Sequence, residues 1–402
     1  VGKDLRAVTD VVIVGAGLAG ATAAVILGRA GIGVTLVDPR PTYPDSFKAE
    51  RIEEDQAELL RRFGLLDALR PWSASIGHVV LGDNGRQLDL LPIQQYGIFY
   101  QDLVNEVRRQ IPPTVEVRVA RVRQVTMCGD AQRVGLEDGH TVAARLVVLA
   151  SGTAGQLLPG LALTRRIVRK GHSLTCGFSI RRVDGRPFPF EALTYFAERV
   201  DSRIGHISLF AMRDQMRVNL FTYWRAKDDQ MRRFAASVDE ELRRLLPGLE
   251  RLTGPFETTG RVEVCPTDLY TVEGYLRPGA VLIGDAFQTS CPATNSGMSK
   301  VLNDVEVLCF ACLPQWLATP GMGAEKIARF YDHPQKRACD THALQGSLYL
   351  HRLRTDRSLP WRLRRQRARL QLRLAGWRRQ LRGAVAAPAP AWNSGQESSH
   401  GG

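Results

Sequence analysis

Two short runs of residues in this chain have types and spacing suited to cofactor chemistry. Gly15-Ala16-Gly17-Leu18-Ala19-Gly20 is a G-x-G-x-x-G run, and Asp38 follows 18 residues after Gly20. Gly15 permits a tight turn, Gly17 lets backbone approach a pyrophosphate, and Gly20 allows close packing of the helix that begins there. The unpaired amides of that helix start, at Leu18 and Ala19, favour phosphate, and Asp38 can accept hydrogen bonds from ribose hydroxyls, with Arg40 just beyond it. The second run is Gly284-Asp285-Ala286, followed by Pro292 and then Ser296-Gly297-Met298. A carboxylate at a strand end followed by a helix N-terminus fits a ribityl chain and an isoalloxazine, with Asp285 on a ribityl hydroxyl. The amides near Gly297 and Met298 would stabilise negative charge on a reduced ring. Together the two runs specify FAD.

The elements that must hold these residues are legible around them. Val11-Val12-Ile13-Val14 is a buried strand, residues 21–30 form a helix of small residues, and Val34-Thr35-Leu36-Val37-Asp38 is a second strand, which makes a βαβ unit. Leu146–Ala150 and Ala280–Gly284 add further strands of the same parallel sheet. Residues 76–91 carry a hairpin signal at Asp83-Asn84-Gly85, and 172–182, 204–212 and 216–224 are β-rich segments that predict an inserted antiparallel sheet. Helical spacing marks 226–246, ending at Pro247-Gly248, and also 296–316 and 324–350. The fold class is therefore α/β: a Rossmann-like FAD-binding domain (8–75, 97–170 and 262–318), an inserted antiparallel substrate domain (76–96 and 171–261), and C-terminal helices (319–382). The composition from Gly383 to Gly402 predicts a disordered tail.

With both glycine motifs in view, the chain resembles the FAD-dependent monooxygenases of the p-hydroxybenzoate hydroxylase type. That family carries G-x-G-x-x-G early and G-D-A-x-H-x-x-x-P-x-x-G-x-G-x-N late; here the second motif keeps Gly284, Asp285, Ala286, Pro292 and Gly297, with Gln288 and Asn295 as departures. The resemblance covers about residues 8–350. It implies that Arg51, in Lys48-Ala49-Glu50-Arg51-Ile52, lies near the pyrophosphate and that Gln101 touches the flavin region. It also implies that reduced FAD and O2 form a C4a-hydroperoxide which transfers one oxygen atom to a hydrophobic, aromatic or polyketide-like small molecule. NADPH or NADH is the implied electron donor. Ser151-Gly152-Thr153-Ala154-Gly155 stands where the family has Asp-Gly followed by Ser and Arg, and no arginine follows until Arg165, so another route to reduced flavin stays open. The alternatives are an FAD-dependent dehydrogenase or reductase of the same fold, or a flavin-binding protein tethered to a membrane or carrier protein by its basic C-terminal segment.

On the inserted sheet, Phe178, Phe210, Phe221, Tyr223 and Trp224 are the candidates to line a substrate pocket, with His206 as a candidate acid or base. Cys309-Phe310-Ala311-Cys312 is a C-x-x-C inside an apolar helix, which reads as core packing. The eight histidines lack paired ligand spacing, and no metal is expected.

Composition bounds the rest. No apolar run is long enough to span a bilayer, and seven cysteines spread thinly over 402 residues are no disulfide framework, so a cytoplasmic protein with reduced thiols is expected. The formal net charge is +13, yet residues 352–382 hold twelve arginines against one acid, Asp356, which accounts for +11 of it. Leu363, Leu370, Leu374, Trp377 and Leu381 are spaced to share one helical face there. Three readings stay open for this segment: packing on the protein's own body, peripheral attachment to an anionic membrane surface, or docking to an acidic carrier protein. Nucleic acid is disfavoured because no binding module accompanies the arginines.

Overall fold

The structure is a computed structural model that describes residues 8–386 except Asp130, with side chains described as far as Ala375. The chain opens with β1 (Thr9–Val14), α1 (Leu18–Arg29) and β2 (Val34–Asp38). Val11, Val12 and Ile13 have no exposed surface, which is the signature of a strand covered on both faces. Two glycines are obligatory at the turn into α1. Gly15 has φ +101°, and a Cβ on Gly20 would lie 1.9 Å from the Gly15 carbonyl oxygen.

After α2 (Glu54–Arg62), the strands β3 (Ala74–Asp83) and β4 (Arg86–Gly97) form the predicted hairpin, with Asn84 and Gly85 both left-handed at φ +51° and +70°. Then come α3 (Tyr100–Arg109), β5 (Thr141–Leu149) and the long β6 (Thr164–Arg182). The strands β7 (Ala192–Phe196), β8 (Ile204–Met212), β9 (Gln215–Thr222) and β10 (Phe256–Glu273) follow, before β11 (Ala280–Leu282) returns to the first sheet. The helices α4 (Ser296–Glu306), α5 (Pro334–Thr355) and α6 (Leu359–Ala386) close the chain.

Two sheets result. The first has seven strands. Parallel pairing joins Glu116–Val119, β2, β1, β5 and β11, and the antiparallel strands Gln132–Leu136 and Val122–Thr126 extend one edge. The second has eight strands in the order β10-β6-β9-β8-β7-β3-β4-(Arg51–Ile52), all antiparallel except β7 beside β3. Its β6–β10 ladder runs from Thr164–Glu273 to Arg182–Phe256, so this sheet takes in residues on both flanks of the 171–261 segment.

The predicted helices are present but subdivided. Residues 226–246 form two helices that meet at Ser237, whose extended φ of −149° breaks the first. Residues 324–350 divide at Pro334, which has no N–H to continue a helix and sits instead at the first turn of α5. After α4, residues 307–312 widen into a π-helical turn, with Cys309 and Cys312 buried in the core as free thiols. Burial, opposed by Arg329, pushes the Cys312 thiol up to about 11, which makes a core role fit better than redox use.

The basic segment forms α6, which reaches Ala386 and thus overlaps the start of the expected tail; residues 387–402 lie outside the described ones. Arginines, not leucines, face the body. Arg365 donates to the Leu353 and Asp356 carbonyls, Arg369 donates to the Ala197 carbonyl, and Arg369 and Arg373 approach the buried Asp83 at 3.5 and 3.9 Å. Leu363, Leu370 and Leu374 point outward, 56%, 57% and 42% exposed. Trp377 and Leu381 have no described side chains.

Candidate active site

The carboxyl ends of β1, β2 and β5 open onto a cleft of about 410 Å³, where an open parallel sheet places its ligands. Gly15, Gly17, Leu18, Ala19, Asp38, Arg40 and Asp285 all line it, so two motifs 264 residues apart, from Gly20 to Gly284, meet around one cavity. Asp38 ends β2 with its carboxylate held in place, Oδ2 accepting from the Ala16 amide at 2.7 Å and Oδ1 from the Arg40 amide at 3.0 Å. A Cβ on Gly17 would meet only the edge of the Tyr43 ring, 4.0 Å away, so the backbone there is open to a ligand. That opening, the first-turn amides of α1 and the carboxylate beyond them suit the pyrophosphate and ribose of FAD.

Three cations that sequence reasoning passed over also line the cleft: Lys48, Arg108 and Arg121. Arg108, two turns along α3 from Tyr100, donates to the Ala16 carbonyl at 2.7 Å and the Arg40 carbonyl at 3.0 Å, and lies 3.4 Å from Asp38. Lys48 sits over the Tyr100 and Tyr43 rings at 5.4 and 6.0 Å. Burial pulls its pKa down, but the charges of Tyr100, Tyr43 and Asp285 outweigh this and hold it above the ordinary lysine value. The signal for Lys48 lies in the sequence, in the same Lys48-Ala49-Glu50-Arg51 run as Arg51.

Arg51 and Gln101 are not among the cleft-lining residues. Arg51 turns the other way and pairs with Glu53 at 2.8 Å, with its guanidinium 5.8 Å from the Phe210 ring. Tyr100, one residue before Gln101, takes the cleft position.

Past Asp285 the chain makes a single 3-10 turn at Pro292–Thr294, and Asn295 adopts φ +53° immediately before α4. Asparagine supports that left-handed position where the family has glycine. Gln56 donates to the Asn295 backbone carbonyl at 3.1 Å and to Ser299 Oγ at 3.0 Å, and the Asn295 side-chain Nδ2 donates to Glu53 at 2.9 Å. Glu53 and Gln56 are themselves the capping box of α2, a signal present in the sequence as E-x-x-Q. This network fixes the α4 N-terminus, whose free first-turn amides at Ser296, Gly297 and Met298 point out of the helix. Asp285 lines the cleft; burial raises its pKa, opposed by Lys48 and Lys300.

The altered middle motif also lines the cleft, through Ser151, Gly152, Thr153 and Ala154. Strand β6 brings Arg165 back onto it, with the guanidinium donating to the Thr153 carbonyl at 2.8 Å and stacking 4.4 Å from the Tyr270 ring. The motif therefore has an arginine in space that it lacks in sequence.

The five aromatic residues expected to line one pocket divide between the faces of the antiparallel sheet. Phe178 and Trp224 face away from the first sheet and pack on Phe234 at 6.0 and 5.5 Å, beneath the helices of 229–245. Strand alternation sends Phe210, Phe221 and Tyr223 to the opposite face. His206 shares that face, with its ring 4.6 Å from Phe221 and 6.4 Å from Phe196. Burial, then Arg354 and Arg51, pulls its pKa down to about 3, so the imidazole is neutral at neutral pH. Tyr223 and Phe221 contact Cys291 and Ala293, which join this face to the turn before α4. Among the described residues no cluster of three or more His, Cys, Asp or Glu could hold a metal ion, and no helix is long and apolar enough to cross a membrane.

In comparisons with known proteins, the family described as FAD binding domain matches residues 8–313. No curated protein sequence matches the chain. Among solved structures, p-nitrophenol 4-monooxygenase PnpA from Pseudomonas putida DLL-E4 is similar with a TM-score of 0.72 at 17% identity, covering 92% of this chain and 94% of that one. The Diels-Alderase PyrE3 of pyrroindomycin biosynthesis gives 0.68 at 17%, covering 92% and 77%. The flavin-dependent brominase Bmp2 gives 0.65 at 16%, covering 91% and 94%. At such identities the likeness concerns the fold.

Proposed function

Because this chain belongs to the FAD binding domain family, in the superfamily of FAD-dependent monooxygenases of the p-hydroxybenzoate hydroxylase type, we propose that it is a monooxygenase. Its reaction inserts one atom of O2 into a hydrophobic, aromatic or polyketide-like small molecule. One observation carries this reading. Asp285 lines the dinucleotide cleft, and the turn that follows it before α4 packs through Cys291 and Ala293 on Phe221 and Tyr223 of a buried sheet face that also bears Phe210 and His206, a setting for an organic substrate shielded from water.

Bound and reduced, the flavin would supply O2 activation and oxygen transfer. The chain's own residues bind and orient. The α1 N-terminus with Gly17 takes the pyrophosphate, Asp38 the ribose, Lys48 and Arg108 supply positive charge in the cleft, and Asp285 meets the ribityl chain. The first-turn amides of α4 stabilise negative charge on the flavin's pyrimidine edge.

The electron donor is the point at which a second reading enters. Ser151-Gly152 replaces the family's Asp-Gly, which favours a flavin reduced by a partner rather than directly by NADPH or NADH, or a dehydrogenase of the same fold. Purified protein is expected to carry FAD, seen by its absorbance. Dithionite-reduced enzyme given labelled dioxygen and a panel of phenols and aromatic acids is expected to yield a product with one labelled oxygen. Retained FAD with reoxidation but no labelled product across the panel would replace the monooxygenase with the dehydrogenase reading. NADPH or NADH consumption, measured separately, decides the donor.

The same enzyme works at a surface in this reading. The outward leucines of α6, interleaved with arginines that the body does not neutralise, match an anionic lipid bilayer, which offers both apolar depth and negative charge.

A further inference from the structure

A sheet edge offers its peptide groups to any passing strand, and folds blunt such edges with bulges, prolines and charge. Two edges of this molecule are blunted. β10 carries Pro266, which has no amide to donate, and a left-handed Gly260 at φ +73°, and Val122–Thr126 has a register shift between Val122 and Gln124. The strand Glu116–Val119, at the opposite edge of the seven-stranded sheet, has neither. It pairs with β2 in unbroken parallel register, from Thr35 beside Glu116 to Asp38 beside Val119, and has no second neighbouring strand among the described residues. Val117 and Val119 are 54% and 57% exposed.

The direction of the backbone on this strand follows from one bond. The Ala120 amide donates to the Asp38 carbonyl at 3.0 Å, and in a parallel ladder alternate residues face the same neighbour. Arg118 and Glu116 therefore turn their peptide groups toward β2, and Val117 and Val119 turn theirs away from the sheet. Val115 continues the alternation; its amide donates to the Pro112 carbonyl at 3.0 Å, which leaves its carbonyl on the outer side. Side chains alternate as well. Glu116 and Arg118 share one face, where Arg118 donates to Glu116 at 3.0 and 2.8 Å and Thr35 donates to it at 3.1 Å.

Val115-Glu116-Val117-Arg118-Val119 thus runs apolar, acid, apolar, base, apolar, a pattern complementary to its own reverse. An antiparallel copy with the two-fold axis at Val117 sets valine on valine. It also sets Glu116 opposite the partner's Arg118, in the non-hydrogen-bonded pairs where side chains come closest, about 4.5 Å between Cα atoms. Val117 exchanges both its bonds across the axis, and each Val119 amide meets the partner's Val115 carbonyl. Every Glu116 and Arg118 keeps its own neighbour and gains another of opposite sign. Slipping the axis by one residue, to Arg118, sets the two arginines on each other, so charge fixes the register. We propose that Glu116–Val119 is the seam of a two-fold homodimer in which two seven-stranded sheets join edge to edge.

Sedimentation equilibrium of the full chain over about 1–200 µM, the range in which a small interface is populated, is expected to show monomers in exchange with dimers. Glu116→Arg and Arg118→Glu each set like charges opposite one another, and each is expected to weaken the dimer about tenfold. The two together are expected to restore it, because the reversed pattern is again complementary to itself. Val117→Pro is expected to give a folded monomer, since proline on an edge strand removes only an outward amide. Thermal unfolding of each variant at low concentration is expected to stay close to wild type, which keeps association apart from folding. Monomer throughout the range would overturn the proposal and leave this edge to a different chain. A dimer that survives Val117→Pro, or single reversals that associate as wild type does, would overturn it too and move the contact elsewhere, the outward face of α6 included. Should Val117→Pro not fold, the single reversals against the double decide.

Discussion

Glu50 shows how a single buried carboxyl ties stability to pH. It is 3% exposed on the inner face and accepts from Arg217 at 2.8 Å. Burial pushes its pKa from 4.5 up to about 7, against the pull of Arg217 and Asn219. A carboxyl whose pKa is higher folded than unfolded keeps more protons in the folded state between those values, so stability falls as pH rises from about 4.5 to 7. Glu50→Gln removes this term. Its urea-unfolding stability relative to wild type should improve by up to about 3 kcal/mol between pH 4.5 and 8; a pH-independent difference would contradict the assignment. Gly17 makes a second case. Because its Cβ would meet open cleft at φ −69°, Gly17→Ala should leave the thermal unfolding of the flavin-free protein near wild type. It should still weaken FAD binding at least tenfold in an equilibrium titration, since the methyl group enters the space proposed for pyrophosphate. Gly20→Ala, with its 1.9 Å clash, should instead destabilise the fold itself.

At the scale of elements, α4 and β11 are joined by a buried charge cluster. Asp304, fully buried, accepts from the Gly284 amide at 2.8 Å and pairs with Lys300 at 3.1 Å and Lys336 at 2.7 Å; Lys300 also donates to the Gly284 carbonyl at 3.2 Å. Burial opposes ionisation of Asp304, yet the two lysines hold its pKa below the ordinary range. The cluster grips both sides of the residue before Asp285, so it orients the carboxylate proposed for the ribityl chain. Asp304→Asn leaves two lysines in the interior short of counter-charge, at a cost of about 3–5 kcal/mol. Urea unfolding is expected to show that loss, and FAD retention is expected to fall with it. Loss of stability with unchanged FAD affinity would make the cluster a core feature alone. The sequence hid this arrangement because Lys300, Asp304, Lys336 and Asp340 look like ordinary charged positions on two helices, and only the packing of α5 on α4 makes them interior.

For the whole molecule, the distribution of charge matters more than its sum. Arg365, Arg369 and Arg373 recur at every fourth residue and turn inward onto carbonyls and Asp83, which leaves Leu363, Leu370 and Leu374 facing water. The membrane attachment proposed above rests on this outward face. Leu363→Glu, Leu370→Glu and Leu374→Glu together should sharply reduce sedimentation with phosphatidylglycerol vesicles while leaving FAD content unchanged. Wild-type binding should weaken with added salt, as attraction between exposed charges is screened. No binding by wild type, or equal binding to neutral phosphatidylcholine vesicles, would redirect the search to an acidic protein partner.

The sequence by itself determined the cofactor cleft, because its contributors are local. Backbone turns at Gly15–Gly20, a strand-end acid at Asp38 and the Gly284-Asp285 turn each follow from a few adjacent residues. The hairpin at Asn84-Gly85 was legible for the same reason. Tertiary structure decided what depends on facing. Strand register sent Phe178 and Trp224 to one side and Phe221 and Tyr223 to the other. The direction of β6 returned Arg165 to the middle motif, and the docking of α6 decided which of its faces meets the protein. A residue's type and near neighbours constrain its own backbone, whereas the partner across a sheet or between helices depends on register and packing set by the whole chain.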